Sequence, residues 1–179
     1  MIKILKDGSK ITVREAVVKD ASSLCEYMEK VNIESKNLSR EPHEWNMTVE
    51  DEEKFLENAT KSNNSCHIVA FKDDFIISAA GFAGSGLMRL SHKVSLGISV
   101  LQEYNNKGLG TIMMGVLIEK AKEYHKTKIE LEVRSDNVGA IHVYEKCGFK
   151  IEGQRQDGFF VDDKFVDLTL MGLNLREDL

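Results

Sequence analysis

The stretch Val100-Leu101-Gln102-Glu103-Tyr104-Asn105-Asn106-Lys107-Gly108-Leu109-Gly110-Thr111 decides how this chain is read. Before it, from Lys93 to Leu101, Val94, Leu96, Ile98 and Val100 alternate with Ser95, Gly97 and Ser99, which is the period of a strand. After it, Leu109, Ile112, Met113, Val116, Leu117 and Ala121 recur at helical spacing. The loop between them ends in two glycines at the opening of the helix. Lacking side chains, Gly108 and Gly110 let an anion approach the backbone, and the first amides of a helix have no internal partner and favour negative charge. The spacing therefore predicts a phosphate site over Asn105, Asn106, Lys107, Gly108, Leu109, Gly110 and Thr111, with the Lys107 ammonium and the Thr111 hydroxyl adding side-chain contacts. Two other phosphate motifs fail. No G-x-x-x-x-G-K-[ST] occurs, the Gly81, Gly84 and Gly86 cluster has no lysine after it, and a dinucleotide fingerprint would need glycine where Met113 stands. Standing alone, the two glycines would serve equally well to ease a tight strand-to-helix turn.

Working outward, Lys10 to Val17 alternates as a first strand, and Asp20 is placed to cap a helix carrying Leu24, Tyr27, Met28 and Val31 on one face. After a loop with Pro42, Thr48-Val49-Glu50-Asp51 reads as a capping box for a second helix through Phe55, Leu56 and Ala59. Cys66 to Phe71 and Phe75 to Phe82 form a hairpin around Lys72-Asp73-Asp74. Beyond the glycine loop, Lys128 to Val133 is a strand, and Val138 to Cys147 is a short helix stopped by Gly148. Phe149 to Gln156 and Phe165 to Leu173 form a closing hairpin. The order is one strand, two helices, three strands, helix, strand, helix, two strands. It describes a mixed α/β sheet in a single domain, residues 1–179, without repeats or linkers.

A second motif supports the first. Asn137-Val138-Gly139-Ala140-Ile141-His142-Val143-Tyr144-Glu145-Lys146-Cys147-Gly148-Phe149 fits N-x-x-A-x-x-x-Y-x-x-x-G-F at every named position, and the glycine loop lies near Q/R-x-x-G-x-G/A. Together they resemble the GNAT superfamily of N-acetyltransferases. The resemblance covers Ile11 to Leu173, with its specific motifs between Val94 and Phe149. Asn105 departs from the Gln or Arg usual at its position, which implies altered cofactor contacts. The resemblance implies a mostly antiparallel sheet with one splayed parallel strand pair, flanked by helices. It also implies acetyl-CoA as acyl donor and a primary amine as acceptor: a small amine, an amino acid, a polyamine or a protein N-terminus. The region from Gly153 through Asp167 resembles relatives of more than one acceptor class.

By the same resemblance, transfer proceeds by direct attack of the amine in a ternary complex. The pantetheine arm enters between the strands at Lys93 to Leu101 and Lys128 to Val133, pairing with backbone groups of Ile98 and Val100 as an added strand would. Gly97 suits a strand that bends or bulges there. Tyr144 falls on the family's proton-donor tyrosine, with packing on an amphipathic helix as the plainer alternative. Asn137 caps its helix and is placed to touch the cofactor. The strand before the loop lacks the glutamate that several relatives use as base, leaving Glu132, His92, Glu34 or water. Trp45, between the first two helices, is read either as lining the acceptor pocket or as core.

Composition sets the outer bounds. Charged residues are 30% of the chain and the net charge is -5, which argues against nucleic-acid binding and slightly favours a cationic partner. The cysteines Cys25, Cys66 and Cys147 form neither a disulfide framework nor a metal-ligand spacing, and no histidine spacing suggests zinc. The N-terminus breaks its apolar residues with charge too early for a signal peptide, and no apolar run reaches the ~20 residues of a membrane span. The expected setting is cytoplasmic, with no membrane partner and with homodimerisation left open. The rival expectation from another class is a non-catalytic acyl-CoA-binding sensor.

Overall fold

A computed structural model describes residues 1–176. The strands are β1 (Ile2–Ile4), β2 (Lys10–Glu15), β3 (Ser65–Lys72), β4 (Phe75–Gly84), β5 (Lys93–Val100), β6 (Lys128–Arg134), β7 (Lys150–Val161) and β8 (Lys164–Asn174). The helices are α1 (Ala21–Glu34), α2 (Val49–Thr60), α3 (Leu109–Glu123) and α4 (Val138–Lys146). All strands join one sheet in the order β1-β2-β3-β4-β5-β6-β8-β7, antiparallel except where β5 meets β6. The fold class is the expected one, with one more strand. The addition is β1, whose three residues are too few to show a period. The last three residues of the expected domain, 177–179, lie outside the described residues.

Helices cover both faces, and β5 shows how. Ser99 Oγ lies 2.8 Å from the Tyr27 hydroxyl of α1 on one face. Leu96, opposite Phe82, turns to the other, where the Phe82 ring meets Tyr124 at the end of α3 edge-on at 5.6 Å. The expected apolar stripe of α3 is the centre of this core: Leu109, Met113, Leu117 and Ala121 are at most 1% exposed. The capping box of α2 forms, with the Asp51 N–H donating to Thr48 Oγ1 at 3.2 Å. Asp20 stands before α1 as expected but does not cap it. Its carboxylate accepts two bonds from Arg14, at 2.6 and 2.7 Å, and one from the Val17 N–H at 2.8 Å. A guanidinium offers a fork that a helix amide does not.

One contact is unusually close. The His67 imidazole, edge-on to Phe55 at 4.7 Å, lies against Gly81. A Cβ at Gly81 would sit 2.6 Å from His67 Nδ1 and 2.8 Å from the Cys66 carbonyl oxygen. The backbone oxygen cannot rotate away as a side chain can. Gly81→Ala is therefore expected to destabilise the fold by about 1–3 kcal/mol in urea unfolding, as overpacking does. An unchanged midpoint would show that the strand gives way freely.

Candidate active site

The parallel pair decides the shape of the site. β5 and β6 pair only at Lys93–Lys128, Val94–Ile129 and Ser95–Glu130, and beyond this they separate. On its other side β5 stays in unbroken register with β4 as far as Val100, so Gly97 is not a bulge, and the opening comes from divergence of β6 alone. The Leu101 N–H donates to the Ile77 carbonyl at 3.1 Å. Because hydrogen-bonded pairs alternate along an antiparallel ladder, Ser99 and Gly97 also face β4 with their main-chain groups. The main-chain groups of Ile98 and Val100 then point into the gap, where β6 no longer meets them.

A cleft of about 930 Å³ runs through this gap. At one end is the turn into α3. Asn106 (φ 61°) and Gly108 (φ 84°) both adopt the left-handed conformation, and the first helical bond is Ile112 N–H to the Gly108 carbonyl at 3.1 Å. The main-chain amides of Asn106, Lys107, Gly108, Leu109, Gly110 and Thr111 have no acceptor among the described residues. Asn106, Gly108, Leu109, Gly110 and Thr111 line the cleft. Two details correct the sequence reading. The Asn105 N–H is already given to the Gln102 carbonyl at 3.1 Å, so only its side chain is left for the cleft. The Lys107 side chain turns away to Asp7, at 3.1 Å, and does not line the cleft.

α4 forms the facing wall. Asn137 caps it, its Oδ1 accepting the Ala140 N–H at 3.2 Å, and also borders the cleft. Tyr144 is buried against Phe149, with ring centroids 6.0 Å apart, and lines the cleft. Among the described residues its hydroxyl has no hydrogen-bond partner, yet the only fully enclosed unpartnered side-chain polar atom is Trp45 Nε1. The phenol oxygen thus keeps an opening. Burial, with a smaller push from Cys147, raises its pKa to about 12, so it is a protonated donor at neutral pH. His142 and Lys146, on the same stripe of α4 as Gly139 and Val143, also line the cleft. The motif drew attention to Tyr144, but helical periodicity alone points to these two.

At the other end, Ser35 to Ser39, Phe159, Leu168, Glu132 and Arg134 form the mouth. Arg134, its side chain 12% exposed, donates to the Lys36 carbonyl at 2.7 Å and holds Asp136 at 2.7 Å. Lys36 Nζ reaches Asp162 at 2.6 Å, so the segment after α1 is tied to the β7–β8 turn. Trp45 does not join them. It is half-buried beneath the Arg40 guanidinium, 5.5 Å from its ring centre. Of the candidate bases, Glu34 accepts the Gln102 N–H at 2.8 Å and Glu132 holds Arg155 at 2.6 Å; both line the cleft. His92 is exposed at the far end of β5 and does not. Among the described residues no His, Cys, Asp and Glu cluster could hold a metal, and no helix is long and apolar enough to cross a membrane.

Known proteins share this architecture. An acetyltransferase of the GNAT family from Streptococcus pneumoniae superposes with a TM-score of 0.89 at 30% identity, over 93% of this chain and 99% of that one. A Salmonella typhimurium structure solved with its cofactor acetyl-CoA has a TM-score of 0.83 at 19% identity, over 94% and 95% of the two chains. Among curated proteins, an L-amino acid N-acetyltransferase of Escherichia coli K12 is 36% identical over 84 residues, 46% of this chain and 52% of that protein. An N-alpha-acetyltransferase of Saccharolobus solfataricus is 40% identical over 77 residues, 40% of this chain and 45% of that protein. The matched stretches thus span about half the length of these curated relatives. Residues 31–149 match the acetyltransferase (GNAT) family along most of the chain. With that match and the near-complete structural likeness at 30% identity, the chain belongs to the GNAT family of acetyltransferases.

Proposed function

We propose that this protein is an N-acetyltransferase that takes the acetyl group of acetyl-CoA and gives it to a primary amine. The observation that carries this reading is that helix-opening amides and a Tyr144 phenol, neither with a partner among the described residues, line one continuous cleft. The donor set suits a diphosphate, which needs many N–H groups and no metal. The amides of residues 106–111 would hold it, with the Thr111 hydroxyl and the side chains of Asn105 and Asn137 beside them. The main-chain groups of Ile98 and Val100 would hold the amides of the pantetheine arm as an added strand. Acetyl-CoA supplies a thioester that a neutral amine can attack directly.

The part left to side chains is proton handling. With burial raising the phenol to about 12, full transfer of its proton to a thiolate, whose reference pKa is near ~8.5, is uphill. Tyr144 therefore acts by hydrogen-bonding the sulfur as charge develops on it, and the proton comes from solvent or from the product ammonium. Glu34 and Glu132 are engaged by Gln102 and Arg155, and His92 stands outside the cleft. Each carboxylate keeps a second oxygen, so the amine's proton leaves to Glu34, to Glu132 or to water. The relatives named as an L-amino acid N-acetyltransferase, an N-alpha-acetyltransferase and a spermidine N(1)-acetyltransferase all acetylate nitrogen, which supports an amine acceptor. No observation favours the sensor reading.

Thiol release from acetyl-CoA across an amine panel tests the reading. Tyr144→Phe is expected to lower kcat about 100- to 1,000-fold with the KM for acetyl-CoA unchanged, as loss of one charge-stabilising donor does. An unchanged kcat would reduce Tyr144 to packing. Because burial raises the phenol's pKa, its donor form persists above the usual value near ~10. The wild-type rate should therefore show no loss from tyrosine ionisation between about pH 8 and 10; a fall there that is missing in the Phe variant would contradict the assignment.

Gly110→Glu probes the other end of the cleft. A Cβ there meets only Val143 Cγ1, at 3.7 Å, so the fold should be kept. A carboxylate at the amides should nonetheless weaken CoA binding by more than about tenfold in calorimetry, through repulsion of the diphosphate. Unchanged affinity in a folded variant would refute the loop.

A further inference from the structure

The lysine expected at the anion site has its charge occupied elsewhere. Lys107 Nζ is 3.1 Å from Asp7 and 5.2 Å from the centre of the Tyr104 ring. The Ser9 main chain and hydroxyl, and then Lys107, hold the Asp7 carboxyl at about 2, so it stays a carboxylate at any working pH. Asp7 belongs to the turn between β1 and β2, and its neighbour Lys6 does what Lys107 does not. The Lys6 N–H donates to the Lys107 carbonyl at 3.0 Å, which docks the turn on the glycine loop. The Lys6 stem then crosses Gly108, where a Cβ would find Lys6 Cγ and Cε each at 3.5 Å. The side chain lines the cleft, and among the described residues its ammonium meets no carboxylate. Of the three charges at this turn, Lys107 and Asp7 cancel and Lys6 is left over, beside the open amides.

We propose that Lys6 is a cofactor-affinity residue, its ammonium pairing with the diphosphate of CoA at the opening of α3. This rests on the acetyl-CoA reading above. It extends the site to the N-terminal hairpin, which lies outside the family match at 31–149. The stem's contact with Gly108 sets Lys6 beside the first turn of α3, so the partner assigned to it is the diphosphate rather than the 3′-phosphate. Because the ammonium has no partner among the described residues, removing it should leave the fold alone.

Calorimetric titration with CoA and with dephospho-CoA tests this on the full chain. Lys6→Met keeps the stem and removes the charge. It should weaken both nucleotides alike, by roughly 2- to 5-fold for one exposed ion pair, and should flatten the salt dependence of binding. Lys6→Arg should restore both. In turnover, the KM for acetyl-CoA should rise in Lys6→Met while kcat stays the same, with thermal unfolding unchanged. Wild-type affinity in Lys6→Met, or a loss confined to CoA, would overturn the assignment; the second would move Lys6 to the 3′-phosphate. A wild type that bound neither nucleotide would overturn the acetyl-CoA reading and this one together, whereas a missing Lys6 effect overturns only this one.

Discussion

Six successive main-chain N–H groups, Asn106 to Thr111, find no carbonyl among the described residues. Inside a protein that arrangement is costly unless water or a ligand takes the hydrogen bonds. Here it is built in. Left-handed backbone at Asn106 and Gly108 turns the chain sharply ahead of the helix, and the Lys107 carbonyl is taken by Lys6. The body of α3, with Met113 and Leu117 sealed in the core, fixes where those donors stand. A rigid helix that presents open amides to a cleft has little reorganisation left to pay on binding a diphosphate.

The second constraint is the loss of pairing between β5 and β6 after Ser95 and Glu130. A parallel pair continued to the strand ends would have used the groups of Ile98 and Val100 and closed the gap. β6 is instead held along its whole length by β8, through seven paired positions from Lys128–Asn174 to Arg134–Leu168, and it follows that strand away from β5. The same divergence leaves room for Tyr144 to reach the cleft from α4. The amide-lined end, the unpaired strand edge and the phenol are therefore consequences of two local features of one sheet.

Much of this was legible in the residues. The change of period between Val100 and Leu109 placed the turn, and the Asn137-to-Phe149 motif placed α4, its cap and its tyrosine within a residue or two of the observed helix. Short-range signals gave these. What stayed hidden depends on residues far apart in the chain. Lys107 looked like the phosphate lysine because it adjoins Gly108, but Asp7, a hundred positions earlier, takes its charge. Nothing around Lys6 marks it, since its role comes from a hairpin docking on a distant loop. Asp20 read as a helix cap until Arg14 offered it a bidentate partner. Trp45 sits in a segment whose first residues do reach the cleft, while it does not, and no pattern within that segment separates the two.

Hydrogen exchange of the main-chain amides, residue by residue, with and without CoA, tests the central claim most directly. Free of ligand, the amides of residues 106–111 should exchange far faster than those deeper in α3; with CoA they should become protected together. Slow exchange in the free protein, or protection that appears elsewhere while these amides stay open, would contradict the account.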